Sequence, residues 1–257
     1  MITIDLSGRV AIVTGGGRGV GLGISERLLE AGADVVVCSR NEPEALPEAG
    51  GRRARFVAAD VRDVEQIARA IAFVREQYGR LDVLVNNAGG SPPAPAATAS
   101  PRFSEKIVAL NLMAPLHFAQ QANAVMQEQP EGGVIVNIAS VSGLRPSPDT
   151  AAYGAAKAGL LALTRTLAME WAPKVRVNAV AAGMILTEQA ELFYGDAQAQ
   201  ARVAATVPLG RLGTPRDVGD ACVFLASPLA SYVSGAALVL DGGGERPPFL
   251  AAVRGEP

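Results

Sequence analysis

The chain has 257 residues, enough for one large domain or two small ones, and its 23 Lys+Arg against 25 Asp+Glu leave a formal net charge of −2. That balance speaks against nucleic-acid binding, which needs an excess of cations. The 49% of hydrophobic residues exclude wholesale disorder.

In chain order, Arg9–Thr14 reads as a strand and Gly19–Ala31 as a helix with Ile24, Leu28 and Leu29 on one face. Asp34–Cys38 and Ala54–Ala59 read as strands. Val61–Tyr78 reads as an amphipathic helix, its Val64, Ile67, Ile71 and Val74 spaced three or four apart. A strand at Leu81–Val85, a long helix at Phe103–Gln127, a strand at Gly133–Ala139 and a second long helix at Ala151–Trp171 follow. Lys174–Val180 reads as a strand, Pro215–Ala226 as a helix and Ala237–Leu240 as a short last strand. Strict β–α alternation with continuously apolar strands predicts an α/β fold: one Rossmann-type, doubly wound parallel sheet of about seven strands with helices on both faces. The Pro- and Ala-rich stretch Gly90–Pro101 is expected as a loop near the ligand side, and 245–257 as a C-terminal arm or tail.

Met1 to Gly8 lacks a basic stretch leading into an apolar run, and no apolar run is long enough to span a bilayer, so the expectation is a soluble cytoplasmic protein with no membrane partner. Cys38 and Cys222, both in apolar runs, read as reduced, buried thiols. The single His117 cannot build a multi-histidine site, so no metal is expected; His117 and Trp171 read as packing residues.

Strand one runs into Thr14-Gly15-Gly16-Gly17-Arg18-Gly19-Val20-Gly21, and a helix follows. Glycines there let the backbone approach a pyrophosphate, and the helix N-terminus offers free N–H groups to it. A tight strand-to-helix turn is the plain alternative, but the position after the first strand of a βαβ unit favours nucleotide binding. At the end of strand two stand Ser39 and Arg40, where a carboxylate would bind the ribose 2′-hydroxyl of NAD. A guanidinium can clamp a 2′-phosphate, and Arg18 in the glycine loop could approach the same group, so NADP(H) is preferred and NAD(H) kept open. Both arginines as solvated surface charges is the alternative.

With Asn86-Asn87-Ala88-Gly89, Asn111, Ser140, Tyr153 and Lys157, the glycine loop resembles the short-chain dehydrogenase/reductase family, of the 3-oxoacyl reductase-like kind, over about residues 5 to 244. The resemblance implies a single dinucleotide-binding catalytic domain over 1–257, hydride transfer between a nicotinamide cofactor and a carbonyl or alcohol, and a homotetramer or homodimer. By the same likeness Gly15, Gly17, Arg18, Gly19, Val20 and Gly21 hold the cofactor's phosphates, Asp60 and Val61 flank its adenine, and Asn87, Ala88 and Gly89 line it. Gly183, Ile185 and Thr187 would meet its nicotinamide end. This chain has Ala182-Gly183 where the family usually has Pro-Gly, which loosens that turn.

Tyr153 and Lys157 lie four apart and so share one helix face. A free phenol titrates near ~10, too high for efficient exchange at neutral pH, and a neighbouring ammonium is expected to lower it. Ser140, ending its strand, could present its hydroxyl to the substrate oxygen and to Tyr153. By resemblance Lys157 also bonds the nicotinamide ribose, and Asn111 holds a water that relays protons to Lys157.

Gly90–Pro101, Val141–Ala152 and Glu188–Pro208 should reach the carboxyl ends of the strands, the last as a lid whose Leu192, Phe193 and Tyr194 suit an apolar substrate. Arg145 could meet an acidic group or stand solvated. The chain therefore reads as an NADP(H)-dependent oxidoreductase reducing a 3-oxoacyl, steroid-like or other lipid-derived ketone, with lipid metabolism as its setting. The alternatives are an NAD-dependent secondary-alcohol dehydrogenase and a non-catalytic nucleotide-binding relative.

Overall fold

A computed structural model describes residues 3–247 together with 249, 252, 253 and 255, so the tail expected at 245–257 lies partly outside the described residues. Seven short Val-rich segments form one parallel sheet: β1 (Val10–Thr14), β2 (Asp34–Ser39), β3 (Arg55–Ala58), β4 (Val83–Asn86), β5 (Gly133–Ser140), β6 (Val175–Ala182) and β7 (Ala237–Leu240). Their order is β3-β2-β1-β4-β5-β6-β7, with Ala11 paired to both Val35 and Val83. Every carboxyl end therefore points to one edge, and the order reverses beside β1, opening a crevice there.

Eight helices connect these strands: α1 (Gly19–Glu30), α2 (Val64–Tyr78), α3 (Pro101–Val108), α4 (Ala114–Glu128), α5 (Ala151–Glu170), α6 (Glu191–Tyr194), α7 (Ala197–Thr206) and α8 (Pro215–Ala226). Because successive strand residues point to opposite faces, both faces of the sheet are apolar. Ala11 and Val13 pack with Ile24 and Leu28 of α1 and Val218 and Cys222 of α8. Val10 and Ile12 pack with Ile67 and Val74 of α2 and Phe118 and Met126 of α4. Phe118 is wholly buried, and truncating it to Ala would cost about 3–5 kcal/mol. Helices α1 and α8 touch through glycine, since a Cβ on Gly219 would stand 2.6 Å from the Gly23 carbonyl oxygen.

Local chemistry sets the helix ends. Asp63 caps α2 by accepting from the Glu65 and Gln66 N–H groups, so that helix starts at Val64 rather than Val61. Ser100 caps α3, and Thr214 and Asp217 form a capping box on α8.

The long helix expected over Phe103–Gln127 is interrupted. Between α3 and α4, Ala109–Met113 form one turn of π-helix. Pro115 has no N–H to continue the ladder, and the Asn111 side chain donates to the Ile107 carbonyl oxygen (2.9 Å), competing with the backbone. Asn111 thus sits in a π-turn and not in regular helix. The sheet edges also shift: the fourth strand runs Val83–Asn86, and β6 continues to Ala182. A two-residue antiparallel ladder (Glu48–Ala49 with Arg52–Arg53) and helices α6 and α7 in the lid segment were not expected from periodicity, the ladder and α6 being too short to show one and α7 burying no residue.

Both cysteines are buried and unpaired. Burial pushes the Cys38 thiol up to about 12 and raises that of Cys222 as well. No helix among the described residues is long and apolar enough to cross a membrane. His117 is half-buried, and Trp171 packs on the α2/α4 side of the core.

Candidate active site

The glycine turn leaves the carboxyl end of β1 tied to the turn after β4. The buried Thr14 hydroxyl accepts from the N–H of Asn87 (2.9 Å) and Ala88 (3.0 Å) and donates to the Val85 carbonyl oxygen (3.3 Å). In return the Asn87 amide donates to the Thr14 carbonyl oxygen (2.9 Å). One hydroxyl, fully used, fixes both walls of the crevice.

Gly15 and Gly19 hold φ of +65° and +51°, and a Cβ on Gly21 would lie 2.1 Å from the Gly15 carbonyl oxygen. No side chain caps the N-terminus of α1, because Arg18 makes no capping bond. A close backbone cradle ending in an uncapped helix start fits the pyrophosphate of a dinucleotide. Thr187 and Glu188, after β6, come back over this cradle, with Thr187 Cγ2 3.8 Å from the position a Gly19 Cβ would take. Val20 packs on the core below, Gly17 lies under Pro43, and Ile185 is buried and bridged to Gly213. Gly183 is pressed against the start of the β7 exit, since a Cβ there would stand 2.9 Å from Asp241 Cα.

At the end of β2, the Ser39 hydroxyl donates to the Asn41 carbonyl oxygen (2.7 Å), and Arg40 is exposed, as is Arg18. Neither arginine joins an ion pair among the described residues. Val61 is buried. Asp60 is clamped by Arg62, whose Nε and Nη2 reach its carboxylate at 2.9 and 2.6 Å, and this bond holds the acid down at about 2. Nothing in the periodicity of 61–78 pointed to Arg62.

The second half of the site stands on β5 and α5. Ser140 ends β5 and accepts from the Ser142 N–H (3.1 Å), which holds its hydroxyl at the mouth of the next turn. The same hydroxyl lies beside the Tyr153 phenol and works to lower its pKa. One helical turn on, Lys157 is 3% exposed. Its Nζ lies 5.5 Å from the Tyr153 ring centre and donates to the Ile138 carbonyl oxygen (2.8 Å). Gly89 fits between Asn111 and Lys157, for a Cβ there would stand 2.7 Å from Asn111 Oδ1 and 3.3 Å from Lys157 Nζ. The Asn111 side chain grips the loop after Gly89, accepting from the Gly90 N–H (2.8 Å) and donating to the Gly90 carbonyl oxygen (2.9 Å). The four residues picked out as catalytic thus converge, and the glycine cradle opens on the same sheet edge.

The electrostatics differ from the expectation that Lys157 lowers the Tyr153 pKa. Burial raises the phenol above its ordinary value; the Ser140 hydroxyl opposes this, and the Tyr194 phenol adds to it. Burial also brings Lys157 down to about 8, and its ammonium is committed to the Ile138 carbonyl. Tyr194 reaches this site from α6, its own phenol raised by burial, with the Ile185 backbone opposing the rise. Its sequence position marked it only as lid.

Arg145, too, differs from the open reading of its role: it pairs with Glu245 beyond β7. Loop 90–101 meets the 141–150 turn where the Ala94 N–H donates to the Asp149 carbonyl oxygen (2.7 Å). In the lid, Leu192 and Phe193 are exposed.

Fold and site together define a nicotinamide-dependent oxidoreductase of the Rossmann type. The chain belongs to the short-chain dehydrogenase/reductase family. A sequence model described as enoyl-(acyl carrier protein) reductase matches residues 15–245. An uncharacterized oxidoreductase of Mycobacterium tuberculosis (strain CDC 1551 / Oshkosh) is 40% identical, over 93% of this chain and 92% of its own. The 3-oxoacyl-[acyl-carrier-protein] reductase FabG of Vibrio harveyi is 35% identical, over 93% and 98%. The ligand-free structure of Thermoplasma acidophilum aldohexose dehydrogenase superposes with a TM-score of 0.87 at 31% identity, covering 94% of this chain and 96% of that one.

Proposed function

We propose that the protein is an NADP(H)-dependent reductase that converts an apolar ketone, of the 3-oxoacyl, steroid-like or other lipid-derived class, to a secondary alcohol. The observation that carries this reading is Tyr153: a phenol beside the Ser140 hydroxyl, its ring 5.5 Å from the Nζ of a buried Lys157 one turn on, at the same sheet edge as the glycine cradle.

A bound nicotinamide would supply the hydride. Ser140 and Tyr153 hold the substrate oxygen between two hydroxyls, which orients the carbonyl carbon toward the cofactor face of the crevice. With its pKa raised by burial, Tyr153 keeps its proton at neutral pH and can give it to that oxygen, which suits the reductive direction. Lys157 restores the proton from beneath, its value of about 8 lying close to the working pH. Asn111 fixes the Gly90 loop, and with it the wall above Lys157. Gly15, Gly17, Gly19 and Gly21 cradle the phosphates, with Val20 beneath; Asp60, Val61, Asn87, Ala88 and Gly89 line the adenosine and ribose side, and Gly183, Ile185 and Thr187 the nicotinamide side.

Two exposed arginines, Arg18 and Arg40, and the lack of an acid at the end of β2 support the 2′-phosphate form. Leu192 and Phe193 in the lid support an apolar substrate. The V. harveyi relative, a 3-oxoacyl reductase, agrees with this direction, whereas the T. acidophilum structure is of an aldohexose dehydrogenase; NAD-dependent alcohol oxidation is therefore the competing activity. We take the enzyme to be a homotetramer or homodimer, on the strength of exposed Met169, Tyr232 and Val239 near the β7 edge, and place it in the cytoplasm as the sequence expectation had it.

The test is a panel of 3-oxoacyl thioesters, steroid ketones and quinones with NADPH and with NADH. The reading predicts reduction of at least one ketone class, with tighter binding of NADPH. Tighter binding of NADH, or turnover confined to sugar oxidation, would overturn it.

A further inference from the structure

Sheet order places β6 between β5 and β7. The turn after β5 and the segment after β7 therefore leave the sheet about 10 Å apart, on either side of the chain that runs from β6 into the lid. Arg145 and Glu245 bridge that gap: Arg145 Nη2 pairs with Glu245 Oε1, while Arg145 Nη1 donates to the Pro146 carbonyl oxygen (3.1 Å). The arginine end is fixed close to the chemistry, because the Leu144 and Arg145 N–H groups both fold back on the Val141 carbonyl oxygen (2.9 and 3.0 Å), one residue after Ser140. The glutamate end is fixed to the base of the lid, where the Arg246 N–H donates to the Thr206 carbonyl oxygen (3.2 Å) and the Leu209 N–H to that of Gly242 (3.1 Å).

We infer that the Arg145–Glu245 pair is a charge-neutral clasp over the substrate end of the crevice, and that it makes the enzyme select substrates whose far end is uncharged. This deepens the reductase reading above and rests on it. Arg145 is the guanidinium nearest Ser140 in the chain, and a carboxylate of the protein's own already holds it. A substrate carboxylate arriving at Arg145 would lose water and meet a guanidinium that Glu245 already neutralises. Leu144, Phe193 and Leu209, all more than half exposed around these segments, offer an apolar chain end contact instead. Taking the charge off Glu245 leaves Arg145 free to bind a carboxylate.

The experiment compares a medium-chain methyl ketone ending in a methyl ester with its counterpart ending in a carboxylate, in wild type, Glu245→Gln, and the Arg145→Gln/Glu245→Gln double variant. Wild type should prefer the ester in kcat/KM. Glu245→Gln should shift the ratio toward the carboxylate by about fivefold at low ionic strength, the effect of one partly exposed ion pair. Added salt should shrink that shift, and the double variant should return to the wild-type ratio. An unchanged ratio in Glu245→Gln, with the ester still reduced, overturns the clasp. Calorimetric binding of the same two compounds to nucleotide-loaded Tyr153→Phe enzyme, with and without Glu245→Gln, reads the discrimination without turnover. If wild type reduces neither ketone, the reductase reading is judged on the wider panel above, and the calorimetric ratio still decides the clasp: a fivefold shift upholds it, and no shift or no binding overturns it.

Discussion

Replacing Lys157 by Met should make the protein more stable at neutral pH while abolishing its activity. Burial holds the Lys157 ammonium at about 8 against an ordinary 10.5, a difference equivalent to about 3 kcal/mol of unfavourable charge burial. Met fills similar space without charge, but it leaves the Ile138 carbonyl oxygen without its 2.8 Å partner, at a cost of about 2 kcal/mol. The net gain at pH 7 is about 1 kcal/mol, or about 2–4 °C in melting temperature for a chain of this size. The sign depends on pH. A lysine depressed in the folded state carries its full penalty below pH 8 and sheds it as pH rises toward 10.5, because the unfolded chain there binds more protons. The variant's advantage should therefore shrink above pH 8 and vanish near about pH 9, beyond which the lost hydrogen bond leaves it the weaker protein. Calorimetric melting of both proteins between pH 6.5 and 9.5 measures this, with nucleotide absorbance reporting activity. A variant that melts lower at pH 7, or a gap that stays constant with pH, would refute the claim that Lys157 is held charged at a cost.

Arg40→Asp should reverse the nucleotide preference, weakening NADPH binding by on the order of tenfold or more, the loss of a charge-assisted bond, as read by fluorescence titration; an unchanged NADPH to NADH ratio would remove Arg40 from the cofactor site. Gly21→Ala places a Cβ 2.1 Å from the Gly15 carbonyl oxygen and 2.6 Å from the Asn87 amide nitrogen. That overlap costs about 1–3 kcal/mol, more than the ~1 kcal/mol that Ala gains over Gly in a helix. Nucleotide affinity should fall along with the melting temperature, and wild-type binding would show that the cradle is elsewhere. Asp82→Ala, at the opposite end of the sheet, strips the Val10 N–H (2.8 Å) and the Arg9 and Arg80 guanidiniums of a buried acceptor. It should cost about 2–3 kcal/mol in denaturant unfolding yet leave kcat per folded molecule unchanged.

Much of this architecture is legible in the sequence. Valine-rich strands between amphipathic helices allow few arrangements other than a parallel sheet, and the predicted sheet of about seven strands is the one found. That Ser140, Tyr153 and Lys157 would meet was legible because a strand end and an i, i+4 helix pair are short-range geometry, whereas Asn111 was picked out only by the family resemblance. What stayed hidden depends on contacts across long stretches of chain. The break at Asn111 needs both its side-chain bond to Ile107 and the missing N–H of Pro115. Arg145 meets Glu245 a hundred residues later, and Tyr194 reaches Tyr153 only through the fold of the lid. The direction of the Tyr153 shift was misjudged from sequence because spacing reports a neighbouring charge but not the depth of burial, and here burial is the larger effect.

Single-turnover reduction of a ketone by enzyme preloaded with NADPH, followed by nucleotide absorbance in wild type and Tyr153→Phe, tests the proton-donor role most directly. The account predicts equal nucleotide binding in the two proteins and a fall of about 10²–10⁴ in the hydride-transfer rate for the phenylalanine variant. Transfer at the wild-type rate without the phenol would contradict it.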